Sequence, residues 1–281
     1  MAEWFRTAPI WLLGLILFIL TAGLALAGAR LSRRISERPG RWGKLTEAQE
    51  GYVVGTVYTL LGLLIGFTFA MAVERFETRR QLVVQDADSI EELYLRAQLL
   101  DEPHRTRFSN LLVRYTENHI QLAQRHHDDA GAAKLIADDQ QLLRDLWTAT
   151  VPAFQSIRTI DFSSSFVDSV NQVVRADADR KAARRAQIPT TVIVMLIFYS
   201  LIAAALLGAV MKGRKGEAAA VIMLSLSVLA LMLIVDINRP VSGTIHESQE
   251  PMKRMLMRLK ANPPAVYQRL AQPAVKVAAQ P

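Results

Sequence analysis

Residues 51–80 read GYVVGTVYTLLGLLIGFTFAMAVERFETRR, with no charged residue before Glu74. An α-helix rises about 1.5 Å per residue, so about 20 apolar residues cross a hydrocarbon core roughly 30 Å thick. The charged residues that follow Val73 belong outside such a core. The stretch therefore predicts a transmembrane helix over residues 51–73 that continues into a polar region.

Three further segments have the same apolar character, namely residues 10–31, 188–210 and 218–237. The chain of 281 residues is 51% hydrophobic and 21% charged, and it has no cysteine. Apolar residues concentrated in blocks of about 20 exclude a soluble enzyme and a disulfide-linked secreted module. A membrane β-barrel would need strands of about ten residues with alternating polarity. We therefore expect an all-α membrane protein with four transmembrane helices.

The spacing of the four segments predicts two helical hairpins, closed by the loops 32–50 and 211–217. Between the hairpins lie residues 74–186, where apolar positions recur at spacings of three and four, as in amphipathic helices. We interpret this region as a helical soluble insert between spans 2 and 3. Residues 238–281 are predicted to form a polar, basic tail.

The charge is distributed unevenly along the chain, whose net charge is +7. Residues 74–186 hold 16 basic and 18 acidic residues, whereas the rest of the chain holds 17 basic and 8 acidic ones. Basic residues beside membrane spans favour contact with anionic lipid headgroups, so the lipid bilayer is the first partner. The insert lacks a basic stripe with interleaved aromatics, so we expect no nucleic-acid binding.

The orientation in the membrane is left open by the basic residues. Four spans place the N terminus, the insert and the tail on one side. The two short loops hold eight basic residues and the leader holds only Arg6, which favours cytoplasmic loops. Other basic residues near the span ends favour the opposite orientation: Arg75, Arg79, Arg80, Arg180, Lys181, Arg184, Arg185 and Arg239.

The common motifs of catalysis are missing, since there is no Walker loop, nucleophile elbow, H-E-x-x-H or C-x-x-C. We therefore expect no enzyme activity and no cofactor. The run His126-His127-Asp128-Asp129 has residue types that bind divalent metals. Four consecutive loop residues seldom converge on one ion, so we interpret the run as a solvated loop and expect no metal.

Small residues follow one face of the second span, and they are Gly55, Thr59, Gly62, Gly66 and Ala70. Glycines at this spacing let another helix approach closely. The face predicts helix packing, either between the spans of one chain or around an axis shared by several chains.

Thr59, Leu63 and Phe67 follow one another every fourth residue and form a stripe along the same helix. In a symmetric oligomer the stripe becomes a set of rings, and rings of Leu and Phe make an apolar constriction that gates by dewetting. In a monomer the same stripe faces lipid or the core. Thr59, Leu63 and Phe67 are therefore our candidate pore-lining residues.

Charged residues mark the two points where spans leave the membrane. Arg75 and Arg79 lie one turn apart after the second span, where they either anchor the helix or attract anions to a pore mouth. Asp236 and Arg239 lie one turn apart at the end of the fourth span, and we predict a structural ion pair between them. The alternative is that Asp236 pairs with Arg75 or Arg79 and joins the two hairpins.

Several short motifs succeed one another between about Val53 and Pro251. They are Gly66-Phe67-Thr68-Phe69, Arg75-Phe76-Glu77, Arg79-Arg80, Asp86-Ala87, Tyr94-Leu95-Arg96-Ala97, Ile188-Pro189, Asp236-x-x-Arg239-Pro240-x-x-Gly243 and Ser248-Gln249. In this order they resemble the signature of the bestrophin-like family of bacterial multi-pass membrane proteins, which is distantly similar to bestrophin anion channels.

The resemblance implies a homo-oligomeric channel, a pentamer if it follows the bestrophins, with inorganic anions as permeant ions. Carried over by position, the apolar neck of the bestrophin pore corresponds to Thr59, Leu63 and Phe67. Thr59 departs from the apolar pattern, and Glu77 replaces the second aromatic residue that follows the arginine. The resemblance also implies the plasma (inner) membrane, with the insert in the cytoplasm. The residues alone leave a second function open: a non-conducting sensor or scaffold whose insert binds a partner.

Overall fold

The computed structural model describes residues 8–36, 46–125, 130–211, 213–239 and 243–271. Within these ranges the chain forms helices and no strand. The helices are α1 (Ile10–Ser36), α2 (Glu47–Ala97), α3 (His104–Ala123), α4 (Ala130–Ile157), α5 (Phe162–Arg185), α6 (Thr190–Val210), α7 (Gly213–Ile237), α8 (Glu250–Ala261) and α9 (Pro264–Ala271). The all-α class is therefore confirmed.

Four apolar stretches are long enough to cross a membrane, and they lie within Ile10–Ile35, Ala48–Ala97, Phe162–Val210 and Gly213–Ile237. The third range joins α5 to α6, and its apolar part is α6. The protein is therefore a multi-pass membrane protein with four spans, as the four apolar segments predicted. No proline interrupts α2, so the second span and the start of the polar region are one helix of 51 residues.

The chain divides into two compact units. The membrane unit comprises Met1–Phe76 and Ala186–His246, and the helical unit comprises Glu77–Arg185 and Glu247–Pro281. Helix α2 contributes residues to both units. The sequence assigned residues 238–281 to a tail, whereas the structure groups the part after His246 with the insert.

In the membrane unit, α1 and α6 approach each other at two glycines. A Cβ atom at Gly28 would overlap the carbonyl oxygen of Ala205, and one at Gly208 would overlap the carbonyl oxygen of Ala25. Glycine permits this approach because it has no side chain. Close packing matters here because lipid supplies no hydrophobic driving force between helices.

The core of the helical unit is built from α2, α3, α4, α5 and α8. Its largest fully buried side chains include Tyr94, Tyr115, Phe108, Phe166, Ile90, Leu93, Leu100, Leu112 and Leu146. The rings of Phe108 and Phe166 meet edge to face with centroids 5.1 Å apart. Apolar residues at spacings of three and four face inward from each helix, which is the pattern the sequence showed.

Helix α8 completes this core. Its acidic Glu250 lies in the first turn and its basic Arg258 and Lys260 in the last turn, so both ends complement the helix dipole. The inward face carries Met252, Met255 and Leu259, all at most 3% exposed. The hydroxyl of Tyr94 donates a hydrogen bond to the carbonyl of Asn262 at 2.8 Å and fixes the end of α8.

Candidate functional site

Within the membrane unit, α2 buries only a narrow seam. Val54, Leu61, Thr68 and Ala72 are each at most 5% exposed. They are spaced by seven, seven and four residues, and at about 100° per residue they lie within about 40° of one direction on the helix. Tyr58 and Ile65 beside the seam also pack on buried residues of the chain, and the opposite face of the span points away from it.

The stripe of candidate pore-lining residues lies on the opposite face. Leu63 follows Val54 by nine residues, which is a rotation of about 180° from the seam. Leu63 is 54% exposed and Phe67 is 63% exposed. Thr59 is also exposed, and its hydroxyl donates to the carbonyl oxygen of Gly55 at 2.8 Å. Thr59 therefore presents its methyl group as well as a satisfied hydroxyl along the stripe.

The glycines of α2 lie on a flank of the same exposed surface. Among the described residues, no atom lies within 4 Å of a Cβ built at Gly55, Gly62 or Gly66. The close packing that the sequence predicted for these glycines is therefore not made within the described part of one chain. Inside the chain, Gly28 and Gly208 make that kind of contact instead.

Arg75 and Arg79 have different surroundings. Arg75 is partly exposed, whereas Arg79 is 2% exposed and its Nε donates to Oε1 of Glu247 at 2.6 Å. The second carboxylate oxygen of Glu247 lies 4.0 Å from an Nη atom of Arg184. The charge of Arg79 is thus balanced by a buried carboxylate within the helical unit, and of the two arginines only Arg75 is partly exposed.

Asp236 and Arg239 have separate hydrogen-bond partners, instead of the direct pair that the sequence predicted. Both oxygens of Asp236 accept hydrogen bonds from Thr244, one from its backbone N–H at 2.6 Å and one from its hydroxyl. Arg239 donates to the carbonyl oxygen of Ala8 at 2.7 Å. The loop needs a glycine at Gly243, because a Cβ there would lie 2.6 Å from the carbonyl oxygen of Asp236.

A buried network of charges occupies the centre of the helical unit. His119 of α3 places Nδ1 3.2 Å from Oδ2 of Asp86 on α2 and Nε2 2.8 Å from Oδ1 of Asp139 on α4. Arg180 of α5 donates to the same Asp86 oxygen at 2.7 Å. Both ring nitrogens of His119 therefore face carboxylates, and four helices meet at one group.

These contacts hold His119 protonated. Burial by itself lowers the pKa of His119, but the charge of Asp86 and hydrogen bonds to Asp139, Asp177 and Asp86 outweigh burial and raise it to about 10. Burial by itself raises the pKa of Asp139, but the hydrogen bond and charge of His119, with those of Lys181, lower it to about 2. His119 and Asp139 are therefore both charged across the physiological pH range.

The sequence interpretation did not single out this network. His119 continues the buried face of α3 after Leu112 and Tyr115, and a titratable residue on such a face is the signal that the sequence offers. Asp86 similarly lies between Val83 and Ala87 on the buried face of α2. No spacing rule joins Asp86, His119 and Asp139, because they come from different helices. The run His126-His127-Asp128-Asp129, which the sequence analysis weighed as a metal site and interpreted as a solvated loop, lies outside the described residues.

The chain was compared with family models and with solved structures, and the two comparisons agree. A family model described as the bestrophin-like domain matches residues 19–252. A mutant bacterial bestrophin homolog from Klebsiella pneumoniae is similar to the chain with a TM-score of 0.67 at 15% identity, covering 93% of this chain and 99% of that one.

A second crystal structure of a Klebsiella pneumoniae bestrophin homolog, determined by Zn-SAD phasing, gives a TM-score of 0.64 at 13% identity. It covers 92% of this chain and 98% of the homolog. At these identities the likeness establishes the fold. No curated protein sequence matches the chain.

Proposed function

The chain belongs to the bestrophin-like family, and on that premise we propose that it forms an oligomeric ion channel whose path is lined by α2. The observation that carries the proposal is the exposure of Leu63 and Phe67 on the face opposite the buried seam. A pore-lining helix needs this division, since one side packs on its own chain and the other faces the axis.

The glycine row supplies the surface on which neighbouring copies of α2 meet. Gly55, Gly62 and Gly66 lie to one side of the stripe, and each is open in the described part of one chain. Helices can approach closely at such positions. Around a fivefold axis, rings of Leu63 and Phe67 form an apolar constriction that excludes ions until it is hydrated.

Inorganic anions are the permeant ions in this proposal, and Arg75 is the residue that attracts them, from the side of the pore mouth, because it lies about 80° from Phe67 around α2. Arg79 does not contribute, because Glu247 balances its charge. Glu74 opposes the preference for anions, since it follows Phe67 by seven residues and lies on the same face of the helix. The ratio of anion to cation permeability therefore depends on these two neighbouring side chains.

Flux and reversal potentials in reconstituted liposomes and planar bilayers test the proposal. We expect Phe67→Ala and Leu63→Ala to raise conductance, because a smaller side chain widens the constriction. Leu64→Ala is the matched control, since Leu64 is exposed but about 100° away from Leu63. Unchanged conductance in both neck variants would contradict the proposed path.

A separate experiment tests whether the permeant ion is negatively or positively charged. We expect Arg75→Gln to lower the anion-to-cation permeability ratio and Glu74→Gln to raise it, as measured from reversal potentials in salt gradients. If the wild-type protein prefers cations and Glu74→Gln abolishes that preference, the anion assignment is wrong while the pore assignment stands.

One observation favours the second candidate, a non-conducting sensor or scaffold. Helix α4 exposes Trp147, Val151 and Phe154 along one face of the helical unit. Large apolar residues exposed together often mark a binding surface. If the purified protein is monomeric and passes no ions in any reconstitution, this reading replaces the channel.

A further inference from the structure

The contacts around His119 have the arrangement of a metal site. One ligand atom each from His119, Asp139 and Asp177 lies within 4.8 Å of the other two. Nε2 of His119 is 2.8 Å from Asp139 and 3.6 Å from Asp177. Bonds of about 2.1 Å in a tetrahedral zinc site place ligand atoms about 3.4 Å apart, so small side-chain adjustments suffice.

Asp86 lies beside Nδ1 of His119, the ring nitrogen that does not face Asp139 and Asp177. Metal-binding histidines usually have a carboxylate or carbonyl partner at that place. The carboxylate of Asp86 lies beside this ring nitrogen, at 3.2 Å, and accepts a hydrogen bond from Arg180 at 2.7 Å. Nη1 of Arg180 also lies 3.1 Å from Nδ1, so this nitrogen is enclosed by Asp86 and Arg180, and Nε2 is the atom that faces Asp139 and Asp177. The side chains of His119 and Asp86 are at most 5% exposed, so their orientation is held by packing.

Lys181 is the cation that now pairs with the two aspartates, through their Oδ2 atoms, whereas Nε2 of His119 faces their Oδ1 atoms. Nζ of Lys181 lies 2.6 Å from Oδ2 of Asp139 and 2.7 Å from Oδ2 of Asp177. The Lys181 side chain is 37% exposed, in contrast to the two aspartates, so its ammonium group can move to water without unfolding the unit. As the ammonium group leaves and the divalent ion enters, the two carboxylates keep a cationic partner.

A buried hydroxyl beside the cluster also points to a ligand. Tyr115 is 2% exposed, and its ring centroid lies 4.1 Å from that of His119. Within the described part of the chain, its hydroxyl oxygen and Oδ1 of Asp86 have no hydrogen-bond partner. Buried polar atoms are normally paired, so these two atoms can form hydrogen bonds with a ligand bound beside the carboxylates.

We propose that His119, Asp139 and Asp177 bind one divalent transition-metal ion, Zn²⁺ or a chemically similar ion, in exchange for the ammonium group of Lys181. Imidazole with carboxylates suits this class of ion better than Mg²⁺ or Ca²⁺, which prefer oxygen ligands alone. The ion would join α3, α4 and α5 at their buried centre. The site lies in the helical unit, so it does not depend on the proposed channel.

The test uses the full-length protein in detergent, stripped with a chelator and dialysed against Zn²⁺ or Co²⁺. Bound metal per chain is measured by mass spectrometry, and affinity by competition with a chromophoric chelator. The variants are Asp177→Asn, which removes a ligand, and Asp179→Asn, an exposed matched control on the same helix. A His126→Ala, His127→Ala double variant removes the histidine pair that follows α3 in the sequence.

We expect one metal ion per chain in the wild type and in both control variants. Asp177→Asn should weaken binding by about tenfold or more, because loss of a ligand costs at least as much as loss of an outer-shell partner. Lys181→Met should bind metal about tenfold more tightly, because its resident competitor is gone. The Co²⁺ absorption spectrum should change in Asp177→Asn and stay unchanged in Asp179→Asn.

Three results would overturn the site: no stoichiometric metal in the wild type, equal affinity in Asp177→Asn, or loss of the metal in the His126 and His127 variant. If Asp177→Asn does not fold, Lys181→Met decides the question. A purely structural ion pair predicts lower thermal stability in Lys181→Met with no gain in metal affinity, which would also reject the proposal.

Discussion

At the residue scale, the pair of Arg79 and Glu247 shows that a buried charge needs a partner of opposite charge. Their side chains are 2% and 4% exposed, and they join α2 to the segment before α8. A buried ion pair adds little over an apolar pair, but removing one member leaves the other charge buried and costs a great deal. Arg79 is therefore a structural residue in this chain, in spite of its place one turn after Arg75.

Glu247→Gln should destabilise the protein by about 3–5 kcal/mol, because Arg79 loses its carboxylate. Glu77→Gln is the control, since Glu77 meets Arg80 in an exposed pair and such pairs contribute about 0–1 kcal/mol. Thermal unfolding in detergent measures both. Equal melting temperatures for the two variants would show that the Arg79 pair is not energetically significant.

The His119 network predicts how stability depends on pH. The folded pKa of His119 is raised from 6.5 to about 10, so its contribution is complete below pH 6.5 and is lost as pH rises toward 10. The folded pKa of Asp139 is lowered from 3.8 to about 2, so its contribution is present above pH 3.8 and is lost as pH falls toward 2.

Chelator-treated protein should therefore have its highest melting temperature between about pH 4 and pH 6.5. His119→Gln should flatten the decline on the alkaline side, because the group that loses its proton is gone. Melting curves from pH 3 to pH 10 check this. The same alkaline decline in His119→Gln would assign it to another group.

At the element scale, α8 is part of the fold of the helical unit. Its buried residues recur at Met252, Met255 and Leu259, a spacing of three and four that lays one face of the helix on the core. Arg258 and Lys260 add ion pairs with Glu91 and Glu117 at the surface. The apolar face supplies most of the stabilisation, because exposed ion pairs contribute little.

Met255→Ala should destabilise the protein by about 2–5 kcal/mol, because Met255 is 0% exposed and its loss leaves a cavity. Met257→Ala is a matched control on the same helix, since Met257 is 61% exposed, and it should change stability by less than about 0.5 kcal/mol. Thermal unfolding compares the two. Equal effects would mean that α8 does not pack as described.

At the scale of the whole molecule, the exposed apolar surface of α2 needs either lipid or other copies of the chain. Seam residues Val54 and Leu61 pack inward, while Leu63, Phe67 and the glycine flank are left open. Lipid would cover Leu and Phe, but it gives no reason for glycines at close-packing spacing. The proposed ring of subunits would cover the apolar side chains and would also use the glycines for close helix packing.

Native mass spectrometry of the detergent-purified protein should therefore find an oligomer, a pentamer on the family likeness. Gly62→Leu should break it, because a large side chain separates neighbouring helices. Gly23→Leu is the control, since the described structure also leaves Gly23 open, on α1. A wild-type monomer that persists across mild detergents would contradict the proposed pore.

The sequence alone determined the helical class and the four spans, because both depend on local properties of the chain. These properties are the hydropathy of each segment and the spacing of its apolar residues. The sequence also determined the stripe of Thr59, Leu63 and Phe67, since residues on one helix share a face by number alone. The tertiary structure decided which faces are buried and which charges meet. Arg79 finds Glu247, 168 residues away, and His119 meets carboxylates from three other helices. Such pairings depend on how helices pack, so no local pattern encodes them.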